Sequence, residues 1–103
     1  MEIEKQVEDI KKQIIERYKP ERIIIFGSYA RGNFDKDSNV DFLIIKKDTP
    51  ECGVERIREV SKLIKRNIAV DFLVYSPYEI EERIKLGDPF IKGILKEGKV
   101  IYG

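Results

Sequence analysis

Apolar positions recur at three- and four-residue intervals in the opening segment. Ile3, Val7, Ile10, Ile14 and Ile15 share one stripe, and Glu and Lys fill the other positions. This pattern predicts an amphipathic helix from about Glu2 to Tyr18, stopped by Lys19-Pro20. The period then changes: Arg22 to Phe26 is a short, β-branched apolar run that reads as a buried strand. Gly27 ends that strand, Ser28-Tyr29-Ala30-Arg31 fits one helical turn before Gly32, and Asn33 to Ser38 is polar and loop-like. Val40 to Ile45 is a second strand, closed by Lys46-Lys47-Asp48.

Val54, Ile57, Val60 and Ile64 return to helical spacing, and Ile68 to Val74 is a third strand. Ser76-Pro77 and Asp88-Pro89 each match an N-cap followed by Pro at the first helical position. The first of these helices buries Ile80 and Ile84 and ends at Gly87. The second runs from Phe90 to Glu97, with Phe90, Ile94 and Leu95 inward. Gly98 stops it, and Lys99 to Tyr102 fits a last short strand. Alternation of this kind predicts an α/β (α+β) sandwich with helices packed on a small mixed sheet. The connection between the first two strands, about a dozen residues, is too long for a tight hairpin, so it is either functional or disordered.

Length and composition narrow the chemistry. A chain of 103 residues supports one core, so residues 1–103 are expected to form a single domain. It contains no His, which removes Ser–His–Asp and Cys–His catalysis and His-ligated zinc. Its one Cys, Cys52, forms no intramolecular disulfide and reads as an incidental thiol of a cytoplasmic protein. The net charge of +1 argues against a dedicated nucleic-acid surface. The charged stretch Met1 to Lys12 lacks the apolar region of a signal peptide, and apolar runs of four residues are far short of a membrane span.

The informative stretch is Phe26-Gly27-Ser28-Tyr29-Ala30-Arg31-Gly32, followed by Asn39-Val40-Asp41-Phe42-Leu43-Ile44-Ile45. A Gly-Ser leaving a buried strand into a helical turn presents backbone N–H groups and a hydroxyl suited to a phosphate; the plain alternative is a turn that ends a strand. Alternation along a strand projects Asn39 and Asp41 to one side. A third polar group, Asp71, interrupts the apolar run Ile68 to Val74. A carboxylate buried there is expected to bind a cation or to pair with a base such as Arg22, Arg31 or Lys46. Tyr75, Tyr78 and Tyr102 suit either packing or stacking on a base, and Lys46-Lys47 reads as a solvated strand end.

Gly-Ser, ten intervening residues, an acidic-x-Asp strand and a later strand Asp together resemble the motif of the DNA polymerase β nucleotidyltransferase superfamily. Because the chain stops after that core, it looks like the minimal nucleotidyltransferases found as antitoxins beside HEPN-domain toxins. The resemblance implies the polymerase-β-like fold and a Mg²⁺-dependent enzyme with ATP as substrate. Gly27, Ser28 and Arg31 would hold the triphosphate. Asn39, Asp41 and Asp71 would hold two Mg²⁺ ions as the catalytic and metal-binding residues. It implies transfer of AMP to a hydroxyl, by analogy a Tyr of the HEPN toxin, as in a type VII-like toxin–antitoxin pair. Oligomeric state stays open.

Asn39 departs from the motif, which carries Asp there. One neutral carbonyl oxygen replaces a carboxylate, and a unit-charge pair at about 4 Å is worth about 4 kcal/mol at an effective dielectric of about 20. Activity is therefore expected to be weakened, with Asp37 or Asp35 as possible substitutes. The alternative is an inactive nucleotidyltransferase-like module that neutralises its partner by contact.

Overall fold

The computed structural model describes residues 2–103; Met1, the first residue of the charged opening segment, lies outside them. Four strands form one sheet in the order β3-β2-β1-β4. They are β1 (Arg22–Phe26), β2 (Val40–Ile45), β3 (Val70–Tyr75) and β4 (Lys99–Tyr102). The helices are α1 (Ile3–Gln13), α2 (Gly27–Arg31), α3 (Gly53–Leu63), α4 (Pro77–Lys85) and α5 (Pro89–Glu97). β1 pairs antiparallel with both β2 and β4, whereas β2 and β3 are parallel, joined through α3. The sheet is therefore mixed, as the pattern of elements predicts.

Alternation divides the apolar residues between two faces. Ile23, Ile25, Val40, Phe42, Ile44, Phe72 and Val74 pack under Val7, Ile10, Ile14, Val60 and Ile64 of the α1 and α3 layer. Ile24, Leu43 and Ile45 pack against Ile80, Ile91 and Ile94 of α4 and α5. The helix caps follow the sequence. Ser76 and Glu79 form a reciprocal capping box on α4, and the Asp88 carboxylate accepts from Phe90 and Ile91 N–H at the start of α5.

The opening helix does not run as one regular α-helix to Tyr18. Residues Ile14–Tyr18 widen into a π-helical turn, and Lys19 closes it with φ 54°. Lys46 is not merely a solvated strand end: its Nζ donates to Tyr18 O at 2.8 Å, supplying a partner to a carbonyl at the end of that turn. Of the inward-facing assignments on α4 and α5, Ile80 and Ile94 are buried and three others are not. Ile84, Phe90 and Leu95 are exposed, because each helix turns only a narrow strip toward the sheet, Ile80 on α4 and Ile91 and Ile94 on α5.

Arg56 occupies the place between these stripes. Its guanidinium is buried and donates to Pro50 O, to Val74 O at 3.1 Å and to Glu79 Oε1 at 2.6 Å. Burial raises the Glu79 pKa, but hydrogen bonds from Arg56 and Ser76 outweigh it and hold the carboxyl below its ordinary value. This pair ties α3 to the start of α4 across the end of β3. Removing the cation strips a donor from two backbone carbonyls and leaves the Glu79 carboxylate with only the Ser76 N–H of the capping box. We expect Arg56→Ala to cost on the order of 3 kcal/mol in urea unfolding, and Arg56→Lys to recover only part of it.

Candidate active site

Strand register creates the site. Phe26 of β1 lies opposite Asp41 of β2, and Asp41 lies opposite Asp71 of β3. These three side chains form one row on the α4/α5 face. The next row on that face, Ile24, Leu43 and Leu73, is apolar. The hydrophobic face thus ends in two adjacent carboxyl groups at the margin of the sheet, where β1 ends and β2 and β3 begin. Asn39, two residues before Asp41, lies at the same margin, and its Nδ2 donates to Asp71 Oδ2 at 3.0 Å.

Gly27 follows Phe26 with φ +77°, a left-handed conformation that Gly adopts without a Cβ penalty. A Cβ at this position would collide with Asp41 Oδ2. Gly27 therefore has two functions: it turns the chain into α2, and it admits the Asp41 carboxylate against the backbone. Ser28 is half-buried as the second residue of α2, and Arg31 ends that helix exposed to solvent. Gly32, with φ +84°, closes the turn.

Burial raises the Asp41 pKa above its ordinary value, and the neighbouring Asp71 charge and a hydrogen bond with Asp71 raise it further. Arg31 opposes this shift. Two carboxyl groups that close resist simultaneous ionisation, so the pair favours either a shared proton or an added cation. Asp71 itself is exposed on the edge strand, contrary to the expectation of a buried acid. Among the described residues it forms no ion pair with Arg22, Arg31 or Lys46.

The donor set meets the demands of a hard divalent cation in part. Adjacent carboxylates, a carboxamide and a Gly without a Cβ leave oxygen ligands around an open cleft. Among the described residues, however, no group of three His, Cys, Asp or Glu side chains converges. Asp35 and Asp37 therefore do not complete the pair. Asp35 instead accepts from Asp37 N–H at 2.9 Å and from the Ser38 hydroxyl at 3.2 Å, closing its own loop.

A cleft of about 410 Å³ opens over Asp41 and Asp71, with Phe26 and Phe90 on its wall. Phe90 is the contribution that the sequence reading misplaced. Helical spacing assigned it inward, whereas Pro89 fixes it in the first turn of α5, beside the acidic row. Tyr78 is solvent-exposed, and Tyr75 lies under the Arg83 guanidinium at 5.9 Å. Cys52 is an exposed free thiol. Among the described residues no helix is long and apolar enough to cross a membrane.

The nucleotidyltransferase domain family model matches residues 7–102. Protein adenylyltransferase MntA of Thermococcus cleftensis is 41% identical over 101 residues, covering 98% of this chain and 92% of that protein. A Methanocaldococcus jannaschii protein named as a candidate protein adenylyltransferase is 38% identical over 91 residues, with 82% and 86% covered. The crystal structure of a candidate nucleotidyltransferase from Sulfolobus solfataricus superposes with a TM-score of 0.54 at 28% identity, over 78% of each chain.

The folded-state pKa of Asp41 is raised, so its ionisation disfavours the native state, and stability is lost as pH rises through that pKa. Asp41→Asn should therefore raise the melting temperature at pH 7 in the presence of a chelator. The gain should shrink as pH falls toward the ordinary aspartate value of 3.8, as measured by scanning calorimetry. Gly27→Ala should do the reverse. Its left-handed backbone and the displaced Asp41 carboxylate should cost about 1–3 kcal/mol in denaturant unfolding.

Proposed function

Because this chain belongs to the nucleotidyltransferase domain family, we propose that its acidic cleft transfers AMP from ATP to a hydroxyl of a partner protein. The observation that carries this reading is the register pairing of Asp41 with Asp71 beside the Gly27 turn. The proposed acceptor is a Tyr of a HEPN-domain toxin, with this chain as the antitoxin. The relatives named as protein adenylyltransferases support a protein acceptor. In this reading residues 1–103 act as one catalytic unit, and a compartment without an oxidising environment suits the free Cys52.

Gly27 and Ser28 bind the terminal phosphates through backbone N–H groups and the Ser28 hydroxyl, and Arg31 adds positive charge at the end of the same turn. Asp41, Asp71 and the Asn39 carbonyl would hold Mg²⁺. When bound, divalent cations supply Lewis-acid stabilisation of the phosphates and lower the pKa of the attacking hydroxyl. The acceptor oxygen forms a bond to the α-phosphorus as the bond from that phosphorus to the bridging oxygen of the leaving pyrophosphate breaks. Asp71 is the exposed acid of the pair, open to the acceptor. With Oδ2 engaged by Asn39, the acceptor proton passes to Oδ1. Phe26 and the apolar row behind it limit water on the inner side of the pair.

Asn39 sets the level of activity. Its amide keeps Asp71 oriented, but it contributes no charge to the cation. A second reading, neutralisation of the partner by contact, is favoured by this same missing carboxylate. Incubation with labelled ATP, Mg²⁺ and the HEPN-domain partner separates the two: label on the partner is expected, and a tight complex without label would contradict transfer. Asn39→Asp should raise transfer about tenfold or more. It should also lower the melting temperature in chelator, since it replaces a hydrogen bond with a third like charge. A well-folded Asn39→Asp variant with unchanged transfer would contradict a ligand role at this position.

A further inference from the structure

Phe90 is unused by the transfer chemistry, yet it is 52% exposed at the start of α5. Its backbone is fixed at the helix start. Pro89 precedes it, and the Asp88 carboxylate accepts from its N–H at 2.9 Å. Phe26, the apolar member of the acidic row, braces its ring edge-to-face, with centroids 6.2 Å apart and planes at 89°. On one side Phe90 borders the cleft that contains Asp41 and Asp71. On the other it borders a second pocket of about 330 Å³, walled by Gly27, Arg31 and Gly93. A Cβ on Gly93 would meet nothing within 4 Å, so this side of α5 is open beside the ring.

We infer that Phe90, braced by Phe26, is the stacking platform for the nucleobase of the triphosphate substrate, with a purine preferred for its larger ring. The inference rests on the transferase reading of the acidic cleft. Three features of the structure converge on it. The aromatic surface is continuous with the phosphate-facing turn, since Gly27 and Phe90 wall one pocket and Asp41 and Phe90 another. A capped helix start fixes its backbone and Phe26 meets its ring edge-to-face, so little freedom is lost when a base settles on it. Arg31 stands at the same pocket, where its charge suits the phosphate end of a nucleotide.

The test compares two ligands that share phosphates but not a base. Tripolyphosphate and non-hydrolysable α,β-methylene-ATP, each with Mg²⁺, are titrated calorimetrically into the native protein, Phe90→Ala and Phe90→Tyr. Phe90→Ala should weaken the ATP analogue about tenfold, while Phe90→Tyr stays within about twofold and tripolyphosphate binds all three alike. Adenine H2 and H8 resonances should move upfield on the native protein and not on Phe90→Ala. Exposure of the side chain keeps the fold out of the comparison, and equal melting temperatures check this. If Phe90→Ala binds the ATP analogue as the native protein does, the platform is overturned and the transferase reading stands. Partner binding lost with nucleotide affinity unchanged would assign Phe90 to the partner and overturn the platform equally. If neither ligand binds the native protein, the transferase reading fails, and the platform with it.

Discussion

Parallel pairing of β2 with β3 is the constraint on which the site depends. In a parallel pair, register is set by where the crossover helix returns the chain, and here α3 returns it so that Asp71 stands level with Asp41. A slip of one residue would send Asp71 to the α1/α3 face and bring Phe72 out of the core. The apolar residues around the acids therefore enforce the acidic pair. Phe42, Phe72 and Val74 bury one face, Leu43 and Leu73 help close the other, and the carboxylates occupy the end row of that second face.

The consequence is a site whose cost is built into the fold. Asp41 ionises against burial and against its neighbour, with only Arg31 opposing. Such strain is characteristic of positions where function, rather than stability, selects the residue. Asn39 adds no third charge at this margin: its amide donates to Asp71 where a carboxylate would repel.

Much of this was legible in the sequence, for identifiable physical reasons. Strands β1 and β2 were clear because short, mostly apolar runs bounded by Gly27 and Lys46 have few other readings. The caps at Ser76 and Asp88 were clear because Pro at the first helical position restricts the local geometry. Less legible was which apolar residues of α3, α4 and α5 are buried. Helical period gives a stripe, but the width of the sheet beneath decides how much of the stripe is covered, so Ile84, Phe90 and Leu95, expected inward, lie exposed. Arg56 could not be foreseen, because its partners Pro50, Val74 and Glu79 come from three different segments. The candidate residues Gly27, Asn39, Asp41 and Asp71 were nameable from spacing. Their contact, including the Asn39 hydrogen bond, depended on a register that no local pattern encodes.

The most direct measurement is the response of the unliganded protein to a divalent cation. Mn²⁺ binding followed by electron paramagnetic resonance, in parallel with thermal unfolding, reports whether Asp41 and Asp71 act as one centre. The account predicts saturable Mn²⁺ binding with a rise in melting temperature, both abolished by either Asp41→Asn or Asp71→Asn. Retention of the cation by both single variants, or a melting temperature of the native protein indifferent to it, would contradict the account.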